Sequence, residues 1–315
     1  MAHFPTAERE AALATAGQAL QDVGLGVPDT LLPLSDQGEC NIALGAEYTG
    51  RRVVVRLNRD RASDEFAKEH WCLGVAQEAG LSVPQSLGFG QSDGWNYAIH
   101  SDGGRTPALQ SGAKSQIKLW RWLGQQASLL QGIHVSGFGE KLEAGTDGHF
   151  TDIWDSYLTG NLAALPEEAV AFGLPAKDTE WLAQRLKQLE QGNHSIGLCH
   201  GDLSLRNVVI NEAGQPCLID WGCAHAHVAP QYDLWEVLRQ HGPDSPECAA
   251  FLEGLGICDR DDQIQKTCQA LDVLLLCAFD LMRWARDRAP DKLLIKRRDF
   301  EKVLQQSYSI AGKAG

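Results

Sequence analysis

The chain has 315 residues, 43% hydrophobic side chains and a formal net charge of −13. That length provides two lobes with cores of their own, and that charge leaves no basic stripe for a nucleic-acid partner. The longest apolar stretch, Leu271–Phe279, is short and broken by Asp272, so no membrane span is expected. Met1 to Gln18 is charged and Ala-rich, unlike a signal peptide. The nine cysteines form no Cys-x-x-Cys pair, a pattern that fits free thiols in a reducing cytoplasm.

Residues 6–23 repeat Ala, Leu and Val at helical spacing and stop at Gly24. Leu31–Leu34, Cys40–Tyr48 and Arg51–Leu57 read as strands, the last two joined at Thr49-Gly50. A second helix, Ala62–Ala79, ends at Gly80, and strands Gln85–Gly90 and Trp95–His100 bring the sheet to five strands. Ser101-Asp102-Gly103-Gly104 forms a natural hinge. Beyond it the pattern is mainly helical: Gln116–Gly132, one or two helices over Asn161–Gln191 with a break at Pro175, then Tyr232–His241, Cys248–Leu255, Gln263–Arg288 and Asp291–Gln306.

The densest chemistry lies at 199–222. His200, Asp202 and Asn207 stand in the order His-x-Asp-x4-Asn, and a hairpin of Val208–Asn211 and Cys217–Asp220 carries a second acid, Asp220. A phosphoryl-transfer catalytic loop has this form. Asp202 would face a substrate hydroxyl, while the Asn207 amide and the Asp220 carboxylate would hold Mg²⁺ on nucleotide phosphates.

The block resembles the aminoglycoside phosphotransferase and choline kinase group, small-molecule kinases built on the protein-kinase fold. His200-Gly201-Asp202-Leu203, Ile219-Asp220-Trp221-Gly222 and Tyr232-Asp233-Leu234 carry the likeness. Ser204 stands where a His is common, Arg206 where a Gly is common, and Ala229 where an acid often precedes the Pro. Val55-Arg56-Leu57-Asn58, Ser136-Gly137-Phe138-Gly139 and Trp154-Asp155 are similar to hygromycin B phosphotransferases. With the element order, the resemblance implies an α+β, protein kinase-like two-lobed fold. A five-stranded antiparallel sheet lobe would occupy 1–100, and a larger, mainly helical lobe 101–315.

The expected reaction is phosphoryl transfer from ATP, with GTP open, to an alcohol group of a small molecule. Arg56 would anchor the α/β-phosphates, with Glu69 as its partner and Glu65 as the competitor one turn earlier. Gly38 belongs to a candidate phosphate-covering loop, and adenine would meet the backbone around Ile99 to Ser101. Arg206 would reach the transferred phosphoryl group or pair with Asp233. The acidic charge suits a cationic acceptor such as an aminoglycoside, held by acids among Asp233, Glu236, Asp272 and Asp280. A choline-, sugar- or amino-acid-type metabolite kinase is the alternative. A nucleotide-binding module without turnover, or a metal-dependent hydrolase using His225 and His227, are the readings of another class.

Overall fold

The computed structural model describes residues 6–34, 41–59 and 64–312. In chain order the first elements are α1 (Thr6–Asp22), β1 (Thr30–Pro33), β2 (Ile42–Tyr48), β3 (Arg51–Asn58), α2 (Asp64–Glu78), β4 (Ser86–Ser92), β5 (Trp95–Ser101) and β6 (Thr106–Pro107). There follow α3 (Ala113–Leu130), β7 (Phe138–Leu142), β8 (Phe150–Asp152), α4 (Trp154–Ala171), α5 (Ala176–Gln191) and β9 (Ile196–Cys199). The remainder is β10 (Val208–Ile210), β11 (Pro216–Leu218), β12 (His225–Val228), α6 (Trp235–His241), α7 (Pro246–Gly254), α8 (Arg260–Arg288) and α9 (Leu293–Ala311). Two compact units form, residues 1–110 with 206–224, and residues 111–205 with 225–315. Among the described residues no helix is long and apolar enough to cross a membrane.

The first unit is organised by a five-stranded antiparallel sheet in the order β1-β2-β3-β5-β4. Strand alternation divides its side chains. Val53, Val55, Leu57, Trp95, Tyr97 and Ile99 form one core with Ala12, Ala16, Ala19 and Leu20 of α1. The small alanines let that helix lie close to the sheet. Both helices of the unit end alike, with a left-handed glycine and a bond reaching back one turn: Leu25 N–H to Leu20 O after Gly24, and Leu81 N–H to Ala76 O after Gly80.

The β10–β11 hairpin belongs to this unit. A single boundary at residue 100 places it in the helical lobe instead, but its partners lie among the first 110 residues. β6 pairs with β10, Leu218 N–H donates to Ser82 O at 2.8 Å, and the Ser82 hydroxyl donates to Pro216 O at 2.6 Å.

The second unit packs helices around α8, whose Leu271–Phe279 segment is buried on all sides. It also holds a four-stranded sheet, β8-β7-β12-β9, which the sequence reading left out. These strands are three to five residues long, and β12 is buried throughout, so no alternation marks it. Pro175 breaks the helical stretch as expected, at the N-cap of α5, whereas Pro166 sits inside α4.

Candidate active site

The candidate residues divide between the two units. In the first, Arg56 projects from β3 on the face opposite the α1 core. Its guanidinium pairs with Glu69 of α2 through Nη1 and Oε1, and Nη2 lies 2.9 Å from Oδ1 of Asp220. Glu69 is 1% exposed, so this carboxylate is committed to the arginine. Burial pushes the Glu69 carboxyl up and the Arg56 charge pulls it back. Burial opposes the Arg56 charge, while Glu69, Asp220 and Glu65 together hold it in place. Glu65 thus adds to the field, and Glu69 and Asp220 both meet the guanidinium directly.

Asp220 follows β11 in a left-handed conformation, φ 64° and ψ 67°, which Asp tolerates better than most residues. Its side chain is 52% exposed although one oxygen meets Arg56. Asn207, at the other end of the hairpin, is buried, and its carbonyl accepts the Ile219 N–H at 2.8 Å. The hairpin therefore ties the residue before Asp220 to Asn207. Arg206 is exposed in the short turn Leu205–Asn207. Gly38 lies outside the described residues. The Ile99 side chain is buried in the α1 core, away from Arg56, leaving only its backbone for a ligand.

Two features of this unit escaped sequence reasoning. Four amides form a ladder across the sheet: Gln91 donates to Asn96, Asn96 to Asn58 and Asn58 to Asn41, at 2.8, 3.1 and 3.1 Å. It fixes Asn41, where the described chain resumes after residues 35–40. His100 shares the strand face of Arg56. Both would have been readable from period-2 alternation once the β3–β5 register was known.

In the second unit, Asp202 is partly exposed in a loop that its neighbours fix from within. Gly201 takes φ 80°, and the Asp202 N–H donates to His200 Nδ1 at 3.3 Å. His200 is fully buried, consistent with bracing the loop. The buried Asp233 carboxylate accepts the His200 and Gly201 N–H groups at 3.3 and 3.1 Å. Asp233 is thereby spent on the loop.

Two more of the four acids considered for a cationic acceptor are also spent. Glu236 is taken by Arg239 and Gln240, and Asp272 by a two-pronged contact from Arg185. Asp280 differs. It is 39% exposed, accepts the Tyr157 hydroxyl at 3.1 Å, and lies 3.6 Å from Arg283. Tyr157 continues into a ring cluster with Trp154, Phe138 and His227.

His225 and His227 are core residues of β12. Tyr232 packs on both rings at 4.5 and 4.2 Å. His227 Nδ1 accepts the Val228 N–H at 2.8 Å, and its Nε2 lies 3.5 Å from Cys277 Sγ. Burial then holds its pKa well below the usual value. Among the described residues no group of three or more His, Cys, Asp or Glu is placed to hold a metal ion.

A family model described as the phosphotransferase enzyme family matches residues 42–263, well over half the chain. No curated protein matches the sequence. Among solved structures, the chain is similar to a thermostable mutant of aminoglycoside phosphotransferase APH(4)-Ia in ternary complex with AMP-PNP and hygromycin B. The TM-score is 0.66 at 17% identity, over 93% of this chain and 98% of that one. It is similar to a putative fructosamine-3-kinase from Haemophilus somnus 129PT, with TM-score 0.60 and 12% identity over 92% and 97% of the two chains. It is also similar to spectinomycin phosphotransferase APH(9)-Ia in complex with ADP and spectinomycin, with TM-score 0.57 and 14% identity over 95% and 98%. The shared fold is the α+β, kinase-like one.

Proposed function

Because the chain belongs to the phosphotransferase enzyme family, we propose that it transfers the terminal phosphoryl group of ATP to a hydroxyl of a small, cationic molecule such as an aminoglycoside. The observation that carries this reading is the anchored guanidinium of Arg56. A chain of net charge −13 must bind a polyphosphate somewhere, and Arg56, gripped by buried Glu69, offers a fixed positive charge with fork geometry.

Asp220 and Asn207 suit Mg²⁺, a hard ion that takes oxygen donors, a carboxylate or two, and substrate phosphates. When bound there, the ion would neutralise charge on the phosphates. The protein's own work is positioning. Arg56 orients the phosphate chain, and Asp202 accepts the proton of the attacking hydroxyl. His200 and Asp233 keep the Asp202 loop in one shape. Asp280, with Tyr157 and Trp154 beside it, is the acid left to receive an ammonium group of the acceptor. A metabolite acceptor, such as an amine-bearing sugar, is the second reading, favoured by the likeness to a fructosamine-3-kinase.

ADP release measured against a panel of aminoglycosides, choline, sugars and sugar amines tests the reading. Turnover with a cationic alcohol is expected, and Asp202→Asn should lower it by roughly 10²–10⁴ while leaving ADP affinity in place. A fully active Asp202→Asn protein, or a wild-type protein that binds no nucleotide, would overturn it.

A further inference from the structure

Leu294 and Ile295, in the first turn of α9, are 70% and 58% exposed, and Trp284, one turn before the end of α8, is 44% exposed. A lone exposed apolar side chain is ordinary. Three within twelve residues, where α8 turns back into α9, gather at one corner of the second unit. The corner is also basic. Residues 283–298 hold seven Lys or Arg against Asp287 and Asp291, a net +5, so the rest of the chain carries −18. Glu168 takes up Arg283 and Arg286, whereas Lys292, Lys296 and Arg298 have no ion pair among the described residues.

The same unit carries a complement at the other end of these two helices. A cavity of about 240 Å³ opens between α7, the first turns of α8 and the last turn of α9, walled by Pro243, Pro246, Ala249, Leu252, Ile264 and Ile310. A dry cavity of about 150 Å³ holds a benzene-sized group, so this one has room for an aliphatic side chain and part of a second. Around it, residues 244–262 hold six Asp or Glu against Arg260, a net −5. The chain therefore bears an apolar knob in a basic surround and an apolar hole in an acidic surround of equal and opposite charge. Between them α9 keeps one face outward: Leu294, Arg298, Glu301, Gln305 and Ser309 are exposed at spacings of three and four. From Ile295 to Ile310 the helix rises about 22 Å. Two copies laid with their α9 helices antiparallel along that face set each knob at the other's hole.

We propose that this surface is a homodimer interface, in which Leu294 and Ile295 of one copy enter the α7–α8–α9 cavity of a second copy and a two-fold axis repeats the contact. A membrane or a nucleic acid fits less well. Either spreads negative charge well beyond the corner, where it meets a body carrying −18, whereas the acidic surround of the cavity is compact and matched to the corner.

The test is sedimentation equilibrium over a series of protein and salt concentrations. Wild type should pass from monomer to dimer and no further, with a Kd that rises with salt because the two surrounds attract. Leu294→Asp, at an exposed position, should raise the Kd about a hundredfold, tenfold for each copy of the contact. Ala249→Phe fills the hole and should act alike. Mixed, the two variants should associate about tenfold more tightly than either alone, because one intact knob still meets one intact hole. Melting curves report whether Ala249→Phe folds, and if it does not, Leu294→Asp and the salt series decide alone. A wild type that stays monomeric, dimers indifferent to Leu294→Asp, a mixture no tighter than its parts, or species that grow past the dimer would each overturn the proposal. A monomeric wild type that sediments with phosphatidylglycerol vesicles would overturn it in favour of a membrane surface.

Discussion

Burial lifts the Asp233 carboxyl to about 7, against the pull of the two loop amides and with a further push from Asp202. Its ordinary value is 3.8. Between those two values the folded protein keeps a proton that the unfolded chain has released, so folding takes up a proton there. Stability contributed through Asp233 is therefore fully present at low pH and is lost as pH rises through about 7. Asp233→Asn removes this titration while keeping one acceptor for the loop amides. The variant should melt below the wild type at pH 5, and the gap should narrow by pH 8. Melting curves of both proteins at several pH values check it, and a gap that widens with pH would contradict the sign. The same residue shows where sequence reading runs out. Asp233 was recognisable as part of a motif, but its role as the brace of His200 and Gly201 needs a contact between residues more than thirty positions apart.

The helices α3 and α7 cross with their backbones in close contact. A Cβ on Gly124 would stand 2.0 Å from the Phe251 carbonyl oxygen, and one on Gly254 would stand 2.0 Å from the Arg121 carbonyl oxygen. Each glycine therefore admits the backbone of the other helix. Gly124→Ala should cost about 1–3 kcal/mol, because backbone rather than a movable side chain must yield. Gly160, inside α4, meets nothing within 4 Å, and Gly160→Ala should gain up to about 1 kcal/mol from helix propensity alone. Chemical denaturation of the two variants checks the contrast, and equal effects would mean that the crossing relaxes. Helices and the five-stranded sheet were legible because their periodicities run over enough residues to show. Arg56 and Glu69 were legible as a pair from strand and helix positions. The four-stranded sheet was not, its strands being too short for a period to develop, and the amide ladder and His100 required the register between strands.

At the scale of the whole molecule, the net charge of −13 sets a long-range field. If the acceptor is cationic, its kcat/KM should fall as salt is raised from 20 to 200 mM (about 22 Å to about 7 Å of screening length), whereas a neutral acceptor should show little change. Initial rates across that series decide between an aminoglycoside-like and a neutral substrate without any variant. The order in which the chain is made adds a different constraint. Residues 206–224 complete the first unit but leave the ribosome long after Gln110. Until then Ser82 and β6 wait for the hairpin they will hold, and Arg56 has Glu69 but not Asp220. Domains usually mature from the N-terminus during synthesis. Here the N-terminal unit stays unfinished until two-thirds of the message has been read. A nascent chain stalled between Ser111 and Leu205 thus presents Ser82 and β6 to chaperones and proteases without the hairpin that covers them, and a product truncated there lacks Asn207 and Asp220 as well.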